Sequence, residues 1–199
     1  MEAFSDGVLA IIITIMVLEL KIPDRPGWDA IYSLLPVIIS YILSFIIVGI
    51  YWGNHHHLLH TVGHVNSTMI WANLHLLFWL SLIPFATGWM GRNNFAQNTV
   101  VVYAVLLDMC GLAYFILLKV IEKSHPRNNA LLIPLRKQSG KGVLSCIAYT
   151  LAIPAAYISP VVSAILFALV AIIWWVPDRN IERAENTVPA PQKELEKLK

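Results

Sequence analysis

The sequence predicts an all-α integral membrane protein with six transmembrane helices and a short cytoplasmic tail. Of its 199 residues, 57% are hydrophobic and only 13% are charged, whereas soluble domains carry about 25% charged residues. A helix needs about 20 apolar residues to cross a bilayer, so the chain has room for several spans and little left for a soluble domain. The net charge of +2 and the scattered Lys and Arg residues do not favour nucleic-acid binding.

Proline, glycine and clusters of charge divide the apolar sequence into six predicted spans. The first is interpreted as a helix of the protein rather than a signal peptide, because Glu2 and Asp6 replace the basic segment that such a peptide needs. The spans are 4–22, 30–52, 68–90, 98–121, 142–158 and 160–176. The last two are short, and a single long helix is the alternative.

The basic residues distinguish these two topologies. With six spans and a cytoplasmic N-terminus, all Lys and Arg residues except Lys21, Arg25 and Arg92 lie on the cytoplasmic side, as the positive-inside rule requires. Five spans would place the basic C-terminal segment outside. The sequence therefore predicts a transmembrane domain at 1–177, a cytoplasmic tail at 178–199 and both termini in the cytoplasm.

One face of the first helix is apolar and carries a hydroxyl at its edge. At 100° per residue, Phe4, Ile11, Ile15 and Leu18 fall on one side of the helix and Thr14 lies at the border. Such a stripe can line a narrow ion path, in which aliphatic rings obstruct ions by dewetting and a hydroxyl contacts a partly dehydrated cation. The alternative is an ordinary lipid-facing or core surface, and the periodicity leaves both open.

Asp6 lies about 140° around the helix from this stripe. A carboxylate near the end of a span is costly unless it is hydrated or paired. His56, His60 and His75 are expected at a similar depth on the next two helices. We therefore expect a polar clasp that anchors the first helix to its own subunit, and proton handling by Asp6 is the alternative.

Four short motifs follow one another along the first three spans. FSD at 4–6 opens the first helix, YWGNHH at 51–56 closes the second, and WANL at 71–74 leads to IPF at 83–85 in the third. In this combination the chain resembles the lysosomal and bacterial potassium channel family with the Phe-Ser-Asp signature. The family usually carries an Arg four residues before Phe4, at a position that precedes Met1, so no role is assigned to that Arg.

The resemblance implies a homotetramer that conducts potassium passively through a central pore lined by the first helices. It implies that Ile11 forms the narrowest ring and that Thr14 and Leu18 also face the pore, in agreement with the stripe that contains Ile15. The residues assigned to the signature and the clasp are Phe4, Ser5, Asp6, Trp52, His56, Asn73 and His75. The expected partners are other copies of the chain, membrane lipid and monovalent cations; no cofactor other than the permeant potassium, no bound metal and no catalytic residue is expected.

Two other classes of function remain as alternatives. His56, His60 and His64 follow i, i+4, i+8 spacing within the cluster 55–64, so one helical face could present imidazoles to a metal, as a membrane metalloenzyme would need. An enzyme of that kind needs ligands from more segments than the remaining histidines supply. An ion-coupled secondary transporter is the second alternative, and the inverted repeats typical of that class are not evident.

Acidic residues at two places complete the list of candidates. Asp108 lies near the middle of the fourth span, where an ionisable group is a functional candidate by default, and we expect its carboxyl to be hydrogen-bonded to a neighbouring helix. Glu19, Asp24 and Asp29 lie at the outer end of the first helix or just beyond it. They either raise the local cation concentration or are ordinary solvated charges.

Overall fold

The computed structural model describes residues 1–23, 26–60, 62–124 and 129–175, whose regular secondary structure is α-helical. The helices are α1 (Glu2–Leu18), α2 (Trp28–Ser33), α3 (Leu35–His60), α4 (Ser67–Ser81), α5 (Ile83–Arg92), α6 (Gln97–Ser124), α7 (Asn129–Ile158) and α8 (Pro160–Trp175). Within the described residues, the segments long and apolar enough to cross a membrane are Leu35–His60, Ser67–Arg92, Gln97–Ser124 and Gln138–Ile158, and Pro160–Trp174 is a shorter apolar helix. The chain is therefore a multi-pass helical membrane protein.

Each predicted span coincides with a helix or a pair of helices, but several ends differ. Helix α1 ends at Leu18 rather than at residue 22. The amides of Glu19 and Leu20 bond to carbonyls three residues back, and Pro23 then supplies no amide and restricts its predecessor to extended conformations. Helix α3 continues to His60, so the first histidines of the cluster lie within the helix rather than after it.

The fifth and sixth predicted spans are separate helices that fold back on each other. Helix α7 ends at Ile158 and α8 begins at Pro160. The Trp174 side chain on α8 donates a 2.7 Å hydrogen bond to Ser145 on α7, although the two residues are 29 positions apart. The two helices therefore run antiparallel, and the alternative of a single long helix is wrong. The predicted tail, 178–199, lies outside the described residues.

The third predicted span is interrupted where α4 meets α5. The turn is at Leu82, whose amide bonds to the carbonyl of Trp79 rather than to one four residues back. Pro84 follows at the start of α5 and has no amide with which to continue the helical pattern. The proline therefore accounts for the break between the two helices.

Helix α6 forms the centre of the bundle and contacts α4, α5, α7 and α8. Its side chains Tyr103, Leu107 and Leu117 are fully enclosed, and the Tyr103 hydroxyl is hydrogen-bonded to Ser44 of α3 over 2.8 Å. Helix α1 lies at the side of the bundle and packs against α3, α4 and α5. Among the described residues, no other part of the chain covers the opposite face of α1.

Candidate functional site

The two faces of α1 differ sharply in burial. Leu9, Ile12 and Met16 are buried against the neighbouring helices. On the opposite face Ile11 is 59% exposed and Leu18 is 79% exposed. The part of the exposed surface formed by Phe4, Ile11, Thr14, Ile15 and Leu18 is called the α1 stripe below. Val17 is also exposed but lies outside this stripe. A helix whose exposed face is mainly large aliphatic residues needs a partner outside its own subunit, either lipid or protein.

Thr14 places an oxygen within the α1 stripe. Its hydroxyl donates a 2.8 Å hydrogen bond to the carbonyl of Ile11 in the preceding turn. This bond uses the only proton of the hydroxyl and leaves the oxygen lone pairs free as acceptors. Thr14 can therefore offer an oxygen to a cation without leaving a donor unsatisfied.

A buried chain of hydrogen bonds holds the reverse face of α1. Asn73 on α4 donates to the hydroxyl of Ser5 over 2.9 Å, and Ser5 donates to the carbonyl of Met1 over 3.2 Å. The amide oxygen of Asn73 lies 2.7 Å from Nε2 of His55 on α3, so this nitrogen carries the proton. Ser5, His55 and Asn73 are all buried. The chain ties three helices together at the start of α1.

A second and more exposed set of contacts lies beside this chain. The indole nitrogen of Trp52 donates to Oδ1 of Asp6 over 2.9 Å. The other oxygen of Asp6 lies 3.8 Å from Nδ1 of His56, and a carboxylate oxygen of Glu2 lies 3.1 Å from the same nitrogen. That oxygen of Glu2 also lies 3.1 Å from Nε2 of His60. The structure thus brings Ser5, Asp6, Trp52, His56 and Asn73 to one end of α1.

One residue assigned to the clasp lies elsewhere. His75 is exposed and its Nε2 accepts a 2.9 Å hydrogen bond from Trp79 on its own helix. Asn73 and His75 are two residues apart, which is about 200° around a helix. Because Asn73 faces α1, His75 has to face away from α1. The prediction that His75 lies beside Asp6 is therefore wrong.

Glu2 is the residue of this site that the sequence reasoning did not single out. It lies one turn before Asp6 on α1, and His56 and His60 are likewise one turn apart on α3. Residues four apart lie on the same helical face. Two acidic residues at this spacing, matched by two histidines at this spacing, were the available signal for a contact between the helices.

The C-terminal end of α1 has its own anchor. Glu19, which follows the helix, forms an ion pair with Arg92 at the end of α5. Glu19 is therefore paired within the subunit rather than simply solvated. Asp108 on α6 accepts a 3.1 Å hydrogen bond from Thr150 on α7, in line with the expected bond to a neighbouring helix.

Comparison with known proteins identifies the family. Residues 1–84, which include α1 and every residue of the clasp, match the family model for the endosomal/lysosomal potassium channel TMEM175. A potassium channel from Chryseobacterium sp. (strain P1-3) is 50% identical over 184 residues, which are 92% of this chain and 95% of that protein. The chain belongs to the TMEM175 potassium channel family. The resemblance inferred from the motifs is confirmed at the level of the family.

Two further comparisons cover the fold and the N-terminal half. The structure of a lysosomal potassium-selective TMEM175 homologue from Chamaesiphon minutus is similar with a TM-score of 0.77 at 24% identity, over 87% of this chain and 94% of that chain. The endosomal/lysosomal proton channel TMEM175 of Rattus norvegicus is 32% identical over 90 residues, which are 43% of this chain and 18% of that protein. The TMEM175 family comprises ion channels, and this membership excludes the metalloenzyme alternative.

Proposed function

We propose that this TMEM175 family member is a potassium-permeable channel, a homotetramer in which α1 of each subunit lines a central pore. The subunit crosses the plasma membrane of a bacterium six times within 1–177 and has both termini, with the tail 178–199, in the cytoplasm. Potassium moves passively, down its electrochemical gradient. The proposal rests on family membership and on the burial pattern of α1.

The observation that carries the proposal is the fixed orientation of α1. Ser5 is held by Asn73 within the subunit, so the helix cannot rotate to bury the α1 stripe without breaking a buried hydrogen bond. Ile11 and Leu18 are consequently directed away from their own subunit. In a symmetric assembly with α1 nearest the axis, these side chains meet their copies and form rings around it.

The order of residues along the α1 stripe gives each ring a role. Ile11 and Leu18 are seven residues apart, so their rings are separated by about 10 Å along the helix, and Thr14 lies between them. Aliphatic rings exclude ions when the pore between them is too narrow to stay wet. Ile11 and Leu18 therefore act as a hydrophobic gate, and the Thr14 hydroxyls assist the choice among monovalent cations.

The experiment is potassium flux in liposomes that contain the purified protein. We expect Ile11→Asn to raise flux several-fold, because an amide keeps the narrowest ring wet. The matched control is Val17→Asn, since Val17 is an exposed residue of α1 outside the stripe. Equal flux in Ile11→Asn and in the wild type, with the oligomer intact, would show that Ile11 is not the constriction. An equal rise in Val17→Asn would show that a polar residue anywhere on α1 has this effect.

The same liposomes distinguish a channel from a secondary transporter, the alternative that remains. A channel gives potassium flux that does not saturate and needs no coupled ion, whereas a secondary transporter gives saturable, coupled flux. The rat relative is described as a proton channel, so a pH-sensitive dye in the lumen measures proton entry in parallel. Proton entry without potassium flux would contradict the proposed ion preference.

A further inference from the structure

A compact set of metal-ligating groups lies where α1 meets the end of α3. Glu2, His56 and His60 each place one ligand atom so that all three atoms lie within 4.8 Å of one another. Oε1 of Glu2 is 3.1 Å from Nδ1 of His56 and 3.1 Å from Nε2 of His60. Two helices supply the groups, so the set depends on the packing of α1 against α3.

The spacing of these atoms matches that of ligands around zinc. Zinc binds nitrogen and oxygen ligands at about 2.1 Å in a tetrahedron, in which neighbouring ligand atoms are about 3.4 Å apart. The two distances from Glu2 to the imidazoles are within a few tenths of an ångström of that value. The Nε2 atoms of His56 and His60 are 3.2 Å apart, whereas the His56 nitrogen near Glu2 is Nδ1. The imidazole of His56 therefore has to shift so that one of its nitrogens faces the ion together with Glu2 and His60.

The hydrogen bonding of His56 is an independent observation in favour of a ligand. Its Nδ1 is enclosed and makes no hydrogen bond within the described part of the chain, although a carboxylate oxygen of Glu2 lies 3.1 Å away. The contact therefore lacks the alignment that a hydrogen bond needs. A cation between the imidazole and the carboxylate satisfies both groups without requiring that alignment.

We propose that Glu2, His56 and His60 form a binding site for zinc-like transition metal ions that cross-links α1 to α3. Oε1 of Glu2, Nε2 of His60 and one nitrogen of His56 are the protein ligands, and water takes the fourth position. Imidazole nitrogen favours zinc and related ions over magnesium and calcium, which prefer oxygen ligands. The side chain of His60 is 49% exposed, so an ion can reach the site directly from solvent.

The consequence for conduction rests on the proposed channel function. The site ties the first turn of α1 to α3, and Ile11 lies on the same helix little more than two turns further on. A dewetted aliphatic ring conducts only when it widens, and widening requires movement of α1. Bound metal restrains that movement, so we expect zinc on the cytoplasmic side to lower potassium flux.

The site itself is tested by zinc binding to the purified protein, measured by calorimetry in detergent. We expect about one zinc ion per chain, and His60→Gln to weaken binding by more than about tenfold because one of three protein ligands is lost. His64→Gln is the matched control, since His64 is an exposed histidine of the same cluster outside the ligand set. Glu2→Gln provides a second variant that alters a protein ligand of the proposed site, and weaker zinc binding is expected for the same reason. Absence of zinc binding to the wild type, equal binding by His60→Gln, or equally tight binding of magnesium would each overturn the site.

The restraint of α1 is tested separately, by flux in liposomes with zinc added at the cytoplasmic side. Zinc should reduce flux in the wild type and in His64→Gln but not in His60→Gln, when the flux of each protein is compared with its own flux before zinc is added. Zinc binding in calorimetry without any effect on flux would contradict the proposal that bound metal restrains the movement of α1. A wild type that conducts no potassium without zinc would instead contradict the proposed function, and the calorimetry would still decide whether the site exists.

Discussion

Asn73 of α4 donates a buried 2.9 Å hydrogen bond to Ser5 of α1, although the two residues are 68 positions apart in the sequence. Asn73 is also the partner of His55, whose Nε2 lies 2.7 Å from its amide oxygen. A single amide therefore satisfies one donor and one acceptor on two other helices. This arrangement fixes the rotation of α1 and with it the direction of the α1 stripe.

Asn73→Ala is expected to destabilise the protein. The change leaves the buried imidazole of His55 without its acceptor, and a buried polar group that loses its partner costs about 1–3 kcal/mol. Thermal unfolding of the purified protein in detergent measures the loss. Thr68→Ala, an exposed change on the same helix, is expected to alter stability by no more than about 0.5 kcal/mol. Equal unfolding temperatures for the two variants would contradict a structural role of the buried amide.

The ion pair at the C-terminal end of α1 is expected to contribute far less to stability than the buried hydrogen bonds of Asn73. The side chains of Arg92 and Glu19 are 51% and 34% exposed, and exposed pairs are worth about 0–1 kcal/mol because water screens them. A double-mutant cycle with Arg92→Ala and Glu19→Ala, measured by unfolding, gives the coupling energy. A coupling above about 2 kcal/mol would mean that the pair is buried in the assembled protein and would overturn this expectation.

Asp108→Asn is expected to leave potassium flux at the level of the wild type. An asparagine oxygen at this position can still accept the hydrogen bond that Thr150 donates to the carboxylate. The change also removes an ionisable group from the interior of the membrane, where charge is costly, so the unfolding temperature should stay the same or rise. Loss of most of the flux in liposomes, with folding intact, would place Asp108 in the ion path instead.

The orientation of α1 could be predicted from the sequence because helical geometry is regular. A rotation of 100° per residue places Ser5 and Asp6 away from the line through Ile11 and Leu18, and in the structure Ser5 is buried while Ile11 and Leu18 are exposed. The same rule separates Asn73 from His75. If the 100° rule had been applied to α4 as well as to α1, His75 would not have been assigned to the clasp.

The contacts between helices could not be predicted in the same way. Whether Glu2 reaches His60 depends on how far α1 is shifted along α3, and the packing of many side chains from both helices determines that shift. The extension of α3 to His60 was a second unknown, since the apolar pattern ends earlier. A periodic pattern gives the face of a helix, but it gives neither the axial position of the helix nor its last turn.

The central claim is that the α1 stripe lines the ion path, and a cysteine at Leu18 tests it most directly. A positively charged methanethiosulfonate reagent is applied to liposomes that contain Leu18→Cys, and potassium flux is recorded as labelling proceeds. Val17→Cys is the matched control, because Val17 is also exposed but lies outside the stripe. The wild type controls for Cys110 and Cys146, of which only Cys110 is buried. We expect labelling to block flux in Leu18→Cys alone; complete labelling of Leu18→Cys with unchanged flux would contradict the account.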